Sequence, residues 1–346
     1  MGFWWPNRLD PWPGLHDKDS MPGSCSVIIP HLSERQLLYE CLSSLRPPGR
    51  ALCEVIVVDN SHGESTGHAL LGSQIPTRLV VVGKNIGYAA AVNCGARIAR
   101  GDLLFVLNDD ARVVDTAMAR LLEAAEAFDS AGAFACRVAD MAAPWELQSA
   151  GLMFHSALYG NRRSAARAGG ALAVSEVFAP CGAAAAYRRS LFLENGGFDE
   201  SFFAYGEDLE LGVRLVGNGH QTLYLPSVGV LHRLGATADK LGGLRTTLMT
   251  RNSYRVVLQT IPLTTVMRHL FTAARFHTAL AWRLLRGPGR WDYLRAVVWL
   301  LMHLPWLVLS RCRQKRMPAR ASDRIERLLS SGELVLRLPG ELWKYG

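Results

Sequence analysis

The sequence predicts an α/β protein whose core is a mainly parallel sheet covered on both faces by helices. Three observations predict it. Between Cys25 and Phe128, short apolar runs alternate with segments of helical length, the pattern of strands buried on both faces and joined by helical crossovers. Four successive runs close on residues able to meet a ligand, at Pro30, Asp59, Lys84 and Asp109–Asp110, and in parallel sheets ligands bind beyond the carboxyl ends of the strands. The 346 residues, 49% hydrophobic and 20% charged, suffice for one large domain or two modest ones with ordinary globular cores.

The first run, CSVIIP (25–30), reads as a buried strand, and SERQLLYECLSSL (33–45) as an amphipathic helix with Ser33 at its N-cap. EVIVVD (54–59) is the second strand, followed by the turn-rich NSHGESTG (60–67) and a short helix. RLVVVG (78–83) is the third strand, KNIGY (84–88) a loop, and small residues carry a helix through Ala99. DLLFVLND (102–109) is the fourth, with a helix from about Asp115 to Phe128. The Ala- and Gly-rich stretch 130–190 holds strands near Ala133–Val138 and Ala183–Tyr187. EDLELGVRLVGNG (207–219) reads as a helix with acids in its first turn and Gly217 or Gly219 at its end. TLYLP (222–226) and VGVLH (228–232) read as two further strands.

Beyond about Thr260 the chain is helical and apolar with arginine punctuation. From Arg268 to Arg320 ten arginines and Lys315 stand against one acid, Asp292, so the formal charge of +8 is concentrated there. That asymmetry points to an anionic partner. Phospholipid fits better than nucleic acid, because the arginines are interleaved with Leu, Trp, Val and Phe and no nucleic-acid-binding module is recognisable. The most membrane-like run, Ala296–Leu309, has 14 residues and contains His303 and Pro305, short of the roughly 20 that span a bilayer. It suits the membrane interface, with Arg295, Arg311 and Arg313 at its ends; a helical hairpin buried in protein is the alternative. The start of the chain lacks a basic segment followed by an apolar core, so it reads as an irregular leader and not as a secretory signal. The seven cysteines are scattered without a CxxC pair, which fits buried thiols in a reducing compartment.

Three constellations carry chemistry. Asp109 and Asp110 follow a buried strand, with Asn108 beside them. Adjacent carboxylates repel, and that cost falls when a hard divalent cation or a ribose hydroxyl pair is bound. Mg²⁺ or Mn²⁺ arriving with diphosphate oxygens needs only one or two protein ligands. Glu207 and Asp208 open a helix whose dipole favours ionised carboxylates, so Asp208 can take a proton from an attacking hydroxyl. The preceding GGFDESFFAYG (196–206) can shape an acceptor pocket. His232, at the end of VGVLH, can complete a metal site with Asp110. Neither a GxGxxG after the first strand nor a Walker lysine loop is present, which disfavours dinucleotide oxidoreductases and P-loop NTPases.

Six segments in order, SVIIP, VIVVDN, KNIGYAAAVN, LLFVLNDD, GGFDESFFAYGEDLEL and PSVGVLH, make the chain similar to family-2 glycosyltransferases with the GT-A fold, in particular the bacterial rhamnosyltransferase-like branch. The resemblance runs from about Ser24 to Arg255. It implies inverting transfer of a sugar from a nucleotide-diphosphate donor, a dTDP- or UDP-sugar carrying rhamnose or a hexose, by direct displacement. Pro30 and Asp59 would then contact the base, Lys84 and Asn85 border the nucleotide, and Asp109 lie by the ribose. Asp110 would ligate Mg²⁺ or Mn²⁺ with His232 nearby, and Asp208 would be the catalytic base supported by Glu207. The acceptor would be a glycan or a polyprenyl-linked sugar, and the enzyme peripheral on the cytoplasmic face of the inner membrane.

The expected organisation is a leader (1–23), a GT-A domain (24–257), a basic apolar helical region that associates with membrane (258–320) and a tail (321–346). Departures from the family pattern are Asn108 at the first place of the D-x-D motif, which this branch tolerates in an N-P-D form, and Ala90, Ala91 and Val92 where relatives often have Gly-Gly-Asn. Added methyl groups there would narrow the loop beside the donor sugar. Glu210 replaces a frequent Asp. The alternative function is a non-catalytic nucleotide-sugar-binding or scaffold module. A nucleotidyltransferase is disfavoured because PHLSERQ (30–36) occupies the place of its glycine- and Lys/Arg-rich loop.

Overall fold

The computed structural model describes residues 21–32, 34–46, 52–61, 66–163, 173–233, 242–313 and 319–329. The first half follows the expected alternation. Strand β1 (Met21–His31) is followed by α1 (Arg35–Ser44), β2 (Leu52–Asp59), β3 (Thr77–Val81), α2 (Tyr88–Ile98) and β4 (Gly101–Leu107). A short strand β5 (Ala111–Val113) leads to α3 (Ala117–Ala127). β1 pairs in parallel with both β2 and β4, and β2 with β3. Val27, Ile29, Val55, Val57 and Phe105 are fully buried on one face of this sheet, and Ile28, Ile56, Leu104 and Val106 on the other. Burial on both faces is why these strands read as continuous apolar runs.

The stretch that the sequence left faint holds β6 (Ala131–Asp140), β7 (Leu147–Ser149), β8 (Leu152–His155), β9 (Tyr159–Arg162), β10 (Ser175–Val177) and β11 (Ala184–Arg188). After a short helix α4 (Arg189–Glu194) come α5 (Glu207–Gly217) and β12 (Gln221–His232). The main sheet has ten strands and is mixed, running β10-β12-β6-β11-β4-β1-β2-β3, with β5 on β12 and β7 on β6. β11 is antiparallel to β4 and β6, whereas β12 returns parallel to β6. β8 and β9 form a separate hairpin. The four that the sequence did not show are only three or four residues long, too short to display a period.

Several expectations shift. β1 begins at Met21, inside the expected leader, and the N-cap of α1 is Glu34 with no side-chain capping bond; Ser33 lies outside the described residues. The two strands expected at 222–232 are one, β12, with a register shift between Leu225 and Gly229 that absorbs Pro226. Ala90, Ala91 and Val92 are not in a loop. They are buried in the first turns of α2 against the sheet, so their methyl groups fill core and do not narrow the cavity described below.

Four helices close the chain: α6 (Gly243–Thr260), α7 (Leu263–Arg286), α8 (Arg290–Arg313) and α9 (Ala319–Leu328). α6 runs across the expected boundary at 257–258. The apolar run 296–309 is the middle of a longer helix, and Arg290–Arg311, 22 residues, is long and apolar enough to cross a membrane by length and composition. Pro305 sits inside that helix.

Candidate active site

The carboxyl ends of β1 and β4, the loop after β3, the start of α5, the end of β12 and one face of α6 enclose a cavity of about 260 Å³. It brings together Pro30, Asn85, Asp109, Asp110, Glu207, Asp208 and His232. Two of the expected site residues do not line it. Lys84 is exposed. Asp59 is buried, and its carboxylate accepts from Ser61 N at 2.9 Å, from Ser61 Oγ at 2.5 Å and from Thr66 Oγ1. Burial opposes ionisation of Asp59, but these hydrogen bonds outweigh it and hold its carboxyl below the ordinary range. Asp59 thus shapes its own loop and places Asn60 on the cavity wall. Asn60 Nδ2 in turn donates to Asn85 Oδ1 at 3.1 Å, which fixes the loop after β3.

Each carboxylate at the end of β4 faces a histidine. Asp109 Oδ2 lies 2.7 Å from His31 Nδ1. Burial pushes the Asp109 carboxyl above its ordinary value, with the His31 hydrogen bond pulling the other way. Asp110 Oδ1 lies 3.2 Å from His232 Nε2, yet it is buried and has no hydrogen bond. The two atoms approach without the alignment of a hydrogen bond, and the orientation of the ring is set from its other side. Gln148 Nε2 donates to Asp140 Oδ2 and to His232 O, both at 3.0 Å. Its Oε1 is therefore an acceptor, and it stands 2.9 Å from His232 Nδ1. The network assigns the imidazole proton to Nδ1, so in the neutral ring the Nε2 lone pair faces the carboxylate. Asn108 Nδ2 approaches that nitrogen only at 3.4 Å.

A carboxylate oxygen and an imidazole nitrogen that lie 3.2 Å apart without a hydrogen bond between them, with the ring oriented by an amide behind it, fit a hard divalent cation. Among the described residues no cluster of three or more His, Cys, Asp or Glu is placed to hold a metal. The protein would therefore supply two ligands and leave the other positions to substrate oxygens and water.

Glu207 and Asp208 are held differently. Asp208 accepts from Gly182 N at 2.9 Å through Oδ2 and from its neighbour Leu209 N at 2.8 Å through Oδ1. Gly182 O accepts from Tyr88 Oη at 2.5 Å. Glu207 Oε2 is buried without a hydrogen bond. The helix dipole does not keep this pair at ordinary acidity: burial pushes both carboxyls up, Glu207 furthest because Asp208 repels it too. Desolvation outweighs the helix terminus here because the charges sit in the cavity wall instead of in solvent.

The loop before α5 is unusual. Phe203 and Tyr205 have φ of 68° and Gly206 of 91°, and each non-glycine residue in that region costs roughly 1–3 kcal/mol. α6 holds it in place. Asn252, 1% exposed, points its amide nitrogen at Phe202 O, Ala204 O and Tyr205 O at 3.0, 2.9 and 2.6 Å. Arg255, fully buried, donates to Ser201 O at 2.9 Å and pairs with Asp199 at 3.3 Å. Its guanidinium lies 4.0 Å from the Phe202 ring centre and 5.5 Å from that of Trp306 on α8. On the other side Gly87, φ 89°, passes so close to this loop that a Cβ would stand 2.6 Å from Phe203 O. Glu210 forms a buried pair with Arg214, one turn on, at 2.6 Å.

Sequence reading missed His31, Gln148, Tyr88 and Asn252. The α6 residues carried a signal: Arg245, Met249, Ser253 and Val256 line the cavity at helical spacing, one face of α6.

The sequence profile of glycosyl transferase family 2 matches residues 26–196. The chain is 32% identical to the N-acetylglucosaminyl-diphospho-decaprenol L-rhamnosyltransferase of Mycobacterium tuberculosis, over 59% of this chain and 72% of that one. It is 28% identical to the O-antigen biosynthesis protein RfbC of Myxococcus xanthus, over 61% of this chain and 17% of that much longer one. Among solved structures, GalNAc-T7 with UDP, GalNAc and Mn²⁺ superposes with a TM-score of 0.54 at 18% identity, covering 68% of this chain and 47% of that one. The mannosyltransferase PcManGT from Pyrobaculum calidifontis, in complex with GDP-Man and Mn²⁺, gives 0.51 at 17% identity, covering 88% and 78%. The fold is GT-A, and the chain belongs to glycosyltransferase family 2, in its rhamnosyltransferase-like part.

Proposed function

We propose that this family-2 glycosyltransferase moves a sugar, rhamnose or a hexose, from a dTDP- or UDP-linked donor to a hydroxyl of a lipid-linked or surface-polysaccharide acceptor, with inversion. The observation that carries the reading is the meeting of the Asp110–His232 pair and the Glu207–Asp208 pair in one cavity, although Asp110 is about a hundred residues from the other three in sequence.

Pro30 and Asn85 border the nucleotide, and Asp109, braced by His31, accepts from the ribose hydroxyls. Asp110 and His232 would hold Mg²⁺ or Mn²⁺, which when bound neutralises the charge developing on the leaving diphosphate. Asp208 takes the proton of the acceptor hydroxyl as its oxygen attacks the anomeric carbon. The bond to the diphosphate breaks on the opposite side, which inverts the configuration. Burial suits Asp208 to this, because a raised pKa makes the ionised carboxylate a stronger base. Its hydrogen bonds to Gly182 and Leu209 fix its orientation, and each oxygen keeps a lone pair for the substrate. Glu207, harder still to ionise, lets the pair avoid two adjacent negative charges.

The acceptor assignment is supported by the relative that acts on a decaprenol-linked substrate and by α7 and α8. Their outer faces expose Phe271 (81%), Trp291 (62%) and Met302 (74%) amid arginines, as expected of helices lying on an anionic bilayer at the cytoplasmic face of the inner membrane.

The test is a donor screen with purified protein, Mg²⁺ or Mn²⁺ and a panel of dTDP-, UDP- and GDP-sugars, using membrane lipid extract as acceptor and reading released nucleoside diphosphate. Release with one donor, abolished in Asp208→Asn and Asp110→Ala, is the expected result. Nucleotide-sugar binding without transfer to a demonstrably competent acceptor would instead identify a binding module.

A further inference from the structure

The cavity has a wall that the donor and the proton transfer do not use. Arg162 and Arg245 are the only Lys or Arg side chains among its described lining residues. Arg162 closes β9, and Arg245 lies in the first turn of α6. Both line the cavity, their charges act on the half-buried phenol of Tyr205, and that of Arg162 also reaches Asp208. Arg162 therefore stands near the proposed base and Arg245 on the same cavity wall beside Tyr205, on elements that come from outside the parallel strands.

Both elements are fastened to the exposed apolar helices. Tyr159, three residues before Arg162, packs on Phe276 of α7 with ring centres 5.3 Å apart, and His277 Nε2 bonds Ala157 O at 3.1 Å. α6 lies along α8, where Thr247 Oγ1 donates to Asp292 O at 3.2 Å and Arg251 sits 4.7 Å from the Trp299 ring centre. Further along α6, Met249 and Val256 continue the cavity wall as apolar surface. The cavity thus carries the proposed base, two guanidiniums and a buried apolar stretch of α6, and α6 is packed against the exposed apolar helix α8.

We propose that Arg162 and Arg245 form the subsite for the diphosphate of a lipid-diphosphate-linked sugar acceptor. The planar fork of each guanidinium matches phosphate oxygens, the sugar hydroxyl meets Asp208, and the hydrocarbon leaves along α6 toward α7 and α8. This deepens the transferase reading and rests on it for the role of Asp208. A donor diphosphate or a phospholipid headgroup offers the same anion, so the test separates the three.

Full-length protein saturated with dTDP or UDP and Mn²⁺ is titrated with farnesyl diphosphate, with farnesol as the control lacking the anion. Arg162→Gln and Arg245→Gln are compared with wild type, and Arg162→Lys and Arg245→Lys serve should the Gln variants fail to fold. Loss of a charge-assisted phosphate contact predicts affinity for farnesyl diphosphate lower by roughly tenfold or more per Gln variant, with an intermediate loss for Lys and no change for farnesol. Nucleotide affinity and binding to phosphatidylglycerol vesicles should stay within a factor of about two, since neither contact is removed. A parallel fall in nucleotide affinity would assign the arginines to the donor. Weakened vesicle binding with farnesyl diphosphate affinity intact would assign them to the membrane surface, and unchanged binding throughout would remove the subsite. Because the assay needs no turnover, a diphosphate preference lost in the variants, beside a donor screen that finds no transfer, would keep the subsite and retire the transferase reading.

Discussion

Two pairs of adjacent acids face one cavity, and the protein treats them in opposite ways. Asp109 and Asp110 each look at a histidine ring, at 2.7 and 3.2 Å. Among the described residues, Glu207 and Asp208 have no cationic side chain in hydrogen-bond contact: Asp208 rests on two backbone N–H groups, and one oxygen of Glu207 has no hydrogen bond. Burial raises the Asp109 carboxyl as it does those of Glu207 and Asp208, so what sets the first pair apart is the imidazole beside each oxygen, which suits it to share a cation. A carboxylate that burial has made reluctant to ionise is arranged to receive a proton. The same dipeptide chemistry is thus divided by environment into an electrostatic role and an acid–base role.

The comparison is broken most severely at Asp208. Asp208→Asn should lower turnover by about 10²–10⁴-fold, the usual worth of a general base, while nucleotide affinity stays at the wild-type level in a calorimetric titration. Next comes the metal-facing pair. Gln148→Ala should free the His232 ring and weaken Mn²⁺-dependent nucleotide binding by about 10–100-fold, as loss of an orienting partner behind a ligand does. Titrating Mn²⁺ at fixed nucleotide checks this.

Asn252→Ala removes the amide that holds three carbonyls of the loop before α5. A roughly tenfold fall in kcat is expected, corresponding to about 1.4 kcal/mol of lost positioning. Donor KM should be unchanged, because the strand ends that border the nucleotide are untouched; steady-state kinetics separates the two constants.

The smallest effect concerns stability. Glu207 has a folded-state pKa above its unfolded value, so wild type holds its full stability below the ordinary carboxyl value of about 4.3 and loses it as pH rises through the raised folded pKa. Glu207→Gln carries no charge to bury. It should melt a few degrees higher than wild type at neutral pH, the difference vanishing in acid. Thermal denaturation as a function of pH reads this directly.

The half of the cavity proposed for the donor was legible, whereas of the half proposed for the acceptor only the 196–206 loop and the Glu207–Asp208 pair were, for a physical reason. Pro30, Asp109 and Asp110 sit at the ends of buried parallel strands, whose unbroken apolar runs mark their own termini in the sequence. Asp59 shows the limit of that logic: it ends β2 as expected, yet its carboxylate is consumed by Ser61 and Thr66, and hydrogen bonding within a loop leaves no periodic trace. The wall proposed for the acceptor is assembled from the β8–β9 hairpin, a loop with three positive φ angles and one face of α6. Its parts are distant in sequence and their strands short, so only tertiary packing places Arg162, Tyr205 and Arg245 together. The dipole argument for Glu207 and Asp208 failed for a related reason, since a sequence shows a helix start but not how deeply it is buried.

The division of labour between the two acid pairs is tested most directly by the affinity for dTDP and UDP with and without Mn²⁺, measured by calorimetry on wild type, Asp110→Ala and Asp208→Asn. Mn²⁺ should strengthen nucleotide binding to wild type and to Asp208→Asn alike, and should no longer do so in Asp110→Ala. An Asp110→Ala protein that keeps the full Mn²⁺ enhancement, or an Asp208→Asn protein that loses it, would contradict the assignment of cation to one pair and proton to the other.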